Sequence, residues 1–269
     1  MNQDQVKEKL LKIEDAPLEF SLIFSGKKSS RVNGLYKPDQ REIIIHNRNF
    51  KPGAAGDNLL LYTSIHEYAH HLHACSHGGK LSARAHSTEF WAIFHALLEK
   101  AESKKIYYDV FADSPELNEL AGFIREKYLV KNGSIVKEMG KHLLKAHDLC
   151  TEIGVRFEDF VDRVLCIPRT AANMSIKMFQ YNLKPETGAD NMRFLAGISN
   201  EENRKTAEKA LMQGKSPDTV KMAIRTKNEE ESPAAMLEKE KLRLERTIET
   251  LSKRLEEVKH ELKGIKDSK

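Results

Sequence analysis

The sequence predicts an α+β protein: a small antiparallel sheet precedes a long helix, and an all-helical segment and a C-terminal coiled coil follow. Three patterns support this prediction. Short β-branched runs occur within the first fifty residues, and apolar side chains with helical spacing follow from about residue 57. After residue 233, leucine, isoleucine and valine recur at heptad spacing. These patterns predict three domains, at residues 1–130, 131–227 and 228–269.

The composition excludes several protein classes. The 269 residues are 40% apolar and 31% charged, which is typical of folded domains and not of disordered chains. No apolar run reaches the roughly 20 residues that span a bilayer, and the first residues lack the pattern of a secretory signal. Three scattered cysteines are too few for a disulfide framework. We therefore expect a cytoplasmic protein without a membrane partner.

The first segment begins with a predicted helix near Gln5–Ile13. Three strand-like runs separated by turn residues follow, at Leu18–Phe24, Val32–Tyr36 and Glu42–His46. After a loop rich in glycine and proline, either Asp57 or Asn58 is placed to cap the next helix. This helix is predicted to continue past residue 70.

The clearest chemical signal is the sequence His66-Glu67-Tyr68-Ala69-His70 within that helix. Histidines four residues apart lie on one helix face, about one turn from each other, and can share a metal ion. A glutamate beside the first histidine can accept a proton from a metal-bound water. The motif therefore predicts a hydrolytic metal site with Glu67 as the base.

A stable site needs a third ligand, and the helix predicted from about His86 to Ala101 carries the main candidates. Apolar residues from Phe90 to Ala101 repeat with helical spacing. His86 lies four residues before Phe90 and is predicted to share this buried stripe, whereas Glu89 falls about 100° away. We favour His86 and keep Glu89 as the alternative. His71, His73 and His77 are predicted to lie on the surface or to support the ligands.

The combination of this motif with the later sequence His86-Ser87-Thr88-Glu89-Phe90-Trp91 resembles the SprT-like (Spartan-type) minimal zinc metallopeptidases. The resemblance covers about residues 18–101. It implies a minimal gluzincin-like fold, Zn²⁺ held by His66, His70 and His86, and Glu67 as general base. No zinc ribbon follows, unlike many SprT relatives, so the resemblance implies no substrate class.

The second segment is predicted to hold a DNA-binding helix-turn-helix. Residues 131–227 contain 17 lysines and arginines against 12 acidic residues, and an excess of positive charge favours nucleic acid. A helix predicted from about Arg169 to Tyr181 follows the short turn Cys166-Ile167-Pro168. One face of this helix carries polar side chains that can bond base edges and phosphates: Arg169, Thr170, Asn173, Lys177 and Gln180. The order of the helices weakly resembles that of ParB-like partition proteins.

The third segment is predicted to form a parallel, dimeric coiled coil. Apolar residues occupy the d positions from Leu237 to Ile265 and most a positions between them, while Lys241 takes one a position. A single charged helix that packs on its own chain is the alternative. The coil predicts a homodimer.

Together these features predict a zinc metalloendopeptidase that is localised by double-stranded DNA and cleaves peptide bonds of DNA-associated proteins. The alternative is a DNA-binding regulator or partition-like protein whose peptidase-like domain is structural or inactive. Glu67 argues against this alternative, because a purely structural metal site needs no base.

Overall fold

The computed structural model describes residues 1–79, 84–111 and 113–229, together with Lys241, Leu244, Glu245, Ile248, Ser252, Leu255 and Lys259. The chain divides into two units, Met1–Met222 and Ala223–Lys269. The predicted division at residue 130 lies inside the first unit, and the three predicted domains stay a prediction. The described part is mostly helical with one small mixed sheet, an α+β fold.

The sheet contains three strands, β1 (Ser21–Phe24), β2 (Gly34–Lys37) and β3 (Glu42–Ile45), in the order β1-β3-β2. β2 and β3 pair antiparallel, with Tyr36 opposite Ile43. β1 and β3 pair parallel, with Leu22 opposite Ile43. The sheet is therefore mixed: the predicted antiparallel pairing is confirmed for β2 and β3 and is wrong for β1, which pairs parallel.

The central place of β3 explains this difference. Its Ile43 and Ile45 are fully buried, so the most apolar strand is bonded along both edges. The chain leaves β1 and enters β2 at the far edge of the sheet. It then turns back through a short 3₁₀ turn, Pro38–Gln40, and through Arg41, whose φ is 49°. This reversal gives β3 the direction of β1.

Helices α1 (Gln3–Ile13) and α2 (Ala54–Ser76) pack against the sheet, and α3 (Thr88–Ser103) packs on α1 and α2. The core that they share contains fully buried residues from the three helices and from β3. These include Leu10, Ile43, Ile65, Tyr68, Phe90 and Phe94. α2 passes through the middle of this core, which holds the helix with the His-Glu-x-x-His sequence in place.

α2 begins one turn earlier than the sequence predicts, at Ala54. Neither of the two predicted caps serves the helix start. The Asn58 side chain instead bonds the backbone of Tyr108, donating to its carbonyl at 3.0 Å and accepting from its N–H at 3.2 Å. Asp57 accepts a hydrogen bond from the N-terminal ammonium group at 3.1 Å. Both side chains therefore bond residues distant in sequence and do not cap α2.

α3 begins two residues after His86, so His86 precedes this helix and is not on its buried stripe. The Ser87 hydroxyl caps the helix by accepting the N–H of Phe90 at 3.2 Å. The cap fixes the direction in which the chain enters α3, and with it the backbone beside His86.

The second half of the first unit is helical. α4 (Pro115–Ile124) continues through π-helical turns at Arg125–Val130 into α5 (Lys131–Glu152). α6 (Phe157–Phe160) is extended by Val161–Leu165 and precedes α7 (Arg169–Gln180). Leu143, Phe157, Val161 and Ala172 form a separate core between α5, α6 and α7. α8 (Ala189–Ala196), α9 (Glu201–Met212) and α10 (Pro217–Glu229) follow.

Most of the predicted coiled coil lies outside the described residues. Its apolar positions Leu237, Leu251, Val258, Leu262 and Ile265 are among those that the structure does not describe. The coil and the dimer therefore stay predictions. Among the described residues, none of the helices combines the length and the apolar character needed to cross a bilayer.

Candidate metal centre

Three histidines meet where α2 passes the start of α3. The helical register of α2 places His66 and His70 one turn apart, with ring centroids separated by 5.1 Å. His86 reaches this pair from the chain before α3, and its ring centroid lies 5.1 Å from that of His66 and 5.0 Å from that of His70. Sequence analysis named these three residues, and the structure brings all three together.

Each ring offers a nitrogen to a common point. The three nitrogens lie within 4.8 Å of one another, and Nε2 of His66 is 3.1 Å from Nε2 of His86. His70 is 7% exposed, and its Nδ1 is buried without a hydrogen-bond partner in the described part of the chain. Such an arrangement of imidazoles could hold a metal ion.

Burial keeps the first two histidines neutral. Desolvation, together with the neighbouring His86, lowers the pKa of His66 to about 4. Desolvation and the surrounding histidines lower the pKa of His70 to about 3. Both imidazoles are therefore unprotonated at pH 7 and have a lone pair available for a metal ion.

Glu67 lies beside the histidines on α2 and is only 7% exposed. Burial raises the pKa of its carboxyl group to about 7. A carboxyl group with a pKa near 7 can both accept and return a proton at physiological pH. The sequence named Glu67 as a base, but only the packing around it sets this pKa.

Gly34 of β2 allows the close approach that buries Glu67. A Cβ atom at Gly34 would lie 2.9 Å from Cγ of Glu67 and 3.1 Å from Cγ2 of Thr63. Sequence analysis missed this residue. The signal was a glycine inside a strand-like run, which often marks close backbone approach.

Aromatic rings hold the histidine rings in position. The Phe90 ring stacks on His70 at a centroid distance of 4.2 Å, and Trp91 stacks on His86 at 5.6 Å. Both aromatic residues lie in the first turn of α3. The turn that carries them therefore fixes the orientation of two imidazoles at once.

His71 is a structural residue of the core. It is fully buried, and its Nε2 donates to the carbonyl oxygen of Leu18 at 3.0 Å. The Tyr36 hydroxyl donates to its Nδ1 at 3.1 Å. These two bonds tie α2 to β2 and to the chain before β1, which places His71 in the interior and not on the surface.

Glu89 lies in a second group, with His73 and His77. Its carboxylate oxygen Oε2 is 3.0 Å from Nε2 of His77 and 3.7 Å from Nε2 of His73. The geometry therefore assigns Glu89, the alternative third ligand, to a group other than that of His66, His70 and His86. His73 is 1% exposed, so of its two predicted places, on the surface or in support of the ligands, the surface is excluded.

The five residues predicted to contact DNA lie together on the exposed side of α7, while Ala172, Ser175 and Met178 are buried on the opposite side. Arg169 also forms an ion pair with Asp162. A three-residue turn, which contains Cys166 with a φ of 53°, separates α7 from the preceding helix. Packing thus leaves one polar face of α7 accessible.

Comparisons of the chain with protein-family models, with curated proteins and with solved structures find no match.

Proposed function

We propose that the protein is a zinc-dependent metallopeptidase of the SprT-like type. The observation that carries this proposal is the placement of three imidazoles around one point with a buried carboxyl group beside them. Two nitrogens bound to a tetrahedral zinc ion at 2.0–2.1 Å are about 3.3 Å apart. The distance of 3.1 Å between the Nε2 atoms of His66 and His86 fits this spacing.

The ligand set supports a catalytic and not a closed structural site, because three protein ligands leave a fourth position for water. Bound zinc would lower the pKa of that water and polarise a peptide carbonyl. Glu67 would accept the proton of the water and deliver it to the amide nitrogen of the departing peptide. His66 and His70 on α2 and His86 just before α3 would hold the zinc ion, and with it the site of the reaction, where the two helices meet.

Metal removal tests this proposal. Purified protein is expected to contain zinc and to cleave an unfolded protein such as casein. Chelation should abolish cleavage, and stoichiometric zinc should restore it. His70→Ala should lose both the cleavage and one equivalent of zinc, because it removes a ligand. Cleavage that survives complete removal of the metal would contradict a metallopeptidase.

The alternative function, a DNA-binding regulator with an inactive peptidase-like domain, predicts zinc binding without cleavage of any tested protein. The low exposure and raised pKa of Glu67 favour the enzyme. A structural site gains nothing from a buried carboxyl group, and burying one costs free energy.

We further propose that the polar face of α7 binds double-stranded DNA, which would direct the peptidase to DNA-associated proteins. Lys177, Asn173 and Gln180 are exposed on one side of α7, and such side chains bond phosphates and base edges. Arg169 would exchange its ion pair with Asp162 for a phosphate.

The salt dependence of DNA binding tests this face. The full chain should bind duplex DNA with an affinity that falls steeply as salt rises, because phosphate contacts release counterions. Lys177→Ala should weaken binding and reduce the salt slope by about one, whereas Asn173→Ala should alter sequence preference. Lys12→Ala, at an exposed lysine of α1, is the control. Equal binding by the Lys177→Ala variant and the wild type would rule out this contact.

We also propose that two chains dimerise through the C-terminal segment, residues 228–269. A coil of nearly five heptads with apolar a and d positions would pair two chains. Truncation before Pro233 should therefore halve the particle mass in light scattering and leave zinc content unchanged. An unchanged mass would contradict this dimer.

A further inference from the structure

The second group of metal-binding side chains, His73, His77 and Glu89, has the geometry of a separate site. His73 lies in the last turn of α2, His77 follows the end of this helix, and Glu89 lies in the first turn of α3. One ring nitrogen of each histidine and one carboxylate oxygen lie within 4.8 Å of one another. The rings of the two histidines meet edge to face, with centroids 4.9 Å apart.

The distances fit a cation coordinated by all three groups. Donor atoms of a tetrahedral zinc-type site are separated by about 3.3 Å. Oε2 of Glu89 lies 3.0 Å from Nε2 of His77 and 3.7 Å from Nε2 of His73, so the two distances bracket this value. Two imidazoles and one carboxylate form a ligand set that zinc and similar divalent ions prefer.

The burial of His73 is a second, independent observation. Its side chain is 1% exposed, and neither ring nitrogen has a hydrogen-bond partner among the residues that the structure describes. A buried polar atom without a partner costs free energy, because it has lost its hydrogen bonds to water. The distance of 3.7 Å to Glu89 is too long for a hydrogen bond. A cation between the two groups would satisfy the nitrogen that faces Glu89.

The helix ends favour the same arrangement. The C-terminal end of α2 carries partial negative charge, which attracts a cation, and the first turn of α3 favours the carboxylate of Glu89. The end of α2 therefore favours the cation itself, while the positive N-terminal end of α3 keeps the ligand Glu89 in its charged form. An ion pair between His77 and Glu89 alone would also be stabilised by the partial charges of the two helix ends. It would, however, provide nothing that binds His73.

We propose that His73, His77 and Glu89 bind a second divalent cation of the zinc type, separate from the one proposed at His66, His70 and His86. This cation would join the end of α2 to the start of α3. A cation that binds the folded chain and not the unfolded chain stabilises the fold by mass action. It would also fix the chain only three residues from His86. The proposal does not depend on peptidase activity.

The test counts metal ions bound to the full chain after chelation and dialysis against buffered free zinc. The wild type is expected to bind two zinc ions per chain. His77→Ala and Glu89→Gln should each bind one, and His70→Ala combined with Glu89→Gln should bind none. Glu99→Gln, the same change at an exposed glutamate of α3, is the matched control and should bind two.

His77 and Glu89 are replaced in this test because their side chains are 44% and 25% exposed, whereas His73, at 1% exposure, is left unchanged. Circular dichroism of each metal-free variant confirms that the fold is retained. A wild type that binds one zinc, with Glu89→Gln and His77→Ala also binding one, would overturn the second site. A single zinc lost in both the Glu89→Gln and His70→Ala variants would overturn it too, since Glu89 would then belong to the first site.

Discussion

Glu67→Gln is expected to retain zinc and to reduce peptide-bond cleavage by a factor of about 10²–10⁴, the usual contribution of a general base. Glutamine has nearly the same shape as glutamate, so the close approach to Gly34 is preserved. It cannot accept a proton from water. The measurement compares initial rates of casein cleavage and zinc content by elemental analysis.

The same substitution at an exposed site is the control. Glu99→Gln on α3 should leave both the rate and the zinc content unchanged, because this side chain is half exposed and pairs with Lys215. If Glu67→Gln cleaves as fast as the wild type with an equal metal content, Glu67 is not the base. Loss of zinc in this variant would instead show that it disturbs the ligands.

A measurement without activity checks the environment of Glu67. In metal-free protein, burial raises its pKa from 4.5 to about 7. Between these values the unfolded chain is ionised while the folded chain keeps its proton, so wild-type stability falls as pH rises. The shift corresponds to about 3 kcal/mol. Glu67→Gln removes this loss, so the variant should match the wild type near pH 4 and exceed it by up to about 3 kcal/mol at pH 8.

Gly140→Ala is expected to have the largest effect on stability. A Cβ atom at Gly140 would lie 1.9 Å from the carbonyl oxygen of Ser175 and 2.5 Å from its carbonyl carbon. Both atoms belong to the backbone of α7, so no side-chain rotation relieves the clash. Overpacking of this kind typically costs 1–3 kcal/mol and occasionally more. We expect about 3 kcal/mol or more, measured by denaturant unfolding, with loss of DNA binding.

Gly122→Ala is the matched control, because it makes the same change at an exposed helical position. Among the described residues, no atom beyond the neighbouring backbone of the same helix lies within 4 Å of the Cβ position at Gly122. Alanine is favoured over glycine in helices by roughly 0.5–1 kcal/mol, so this variant should be slightly more stable than the wild type. If Gly140→Ala were equally stabilising, α5 and α7 would not pack as closely as the structure shows.

The sequence predicted local features well because local spacing determines them. The four-residue interval between His66 and His70 places both on one face of any helix, and the structure has a helix there. The apolar and polar sides of α7 also follow from helical periodicity. His73 and His77 repeat the interval of the first pair, so the second group carried a signal that sequence analysis did not use.

Long-range contacts explain what the sequence did not predict. The helix start at Ala54 depends on Asn58, whose side chain binds Tyr108 instead of capping α2. The parallel pairing of β1 with β3 depends on which strand takes the centre of the sheet. Neither the start of α2 nor the direction of the β1–β3 pairing follows from the spacing of apolar and polar residues in the sequence.

The sequence by itself determined the chemical groups available, their helical faces and the α+β class, because these depend on residue type and on intervals of a few positions. Only the tertiary structure decided which groups meet. It brought His86 to His66 and His70, separated Glu89 from them, and raised the pKa of Glu67 through burial. The physical reason is that each outcome depends on packing between elements distant in sequence, and desolvation and donor distances exist only once those elements have come together.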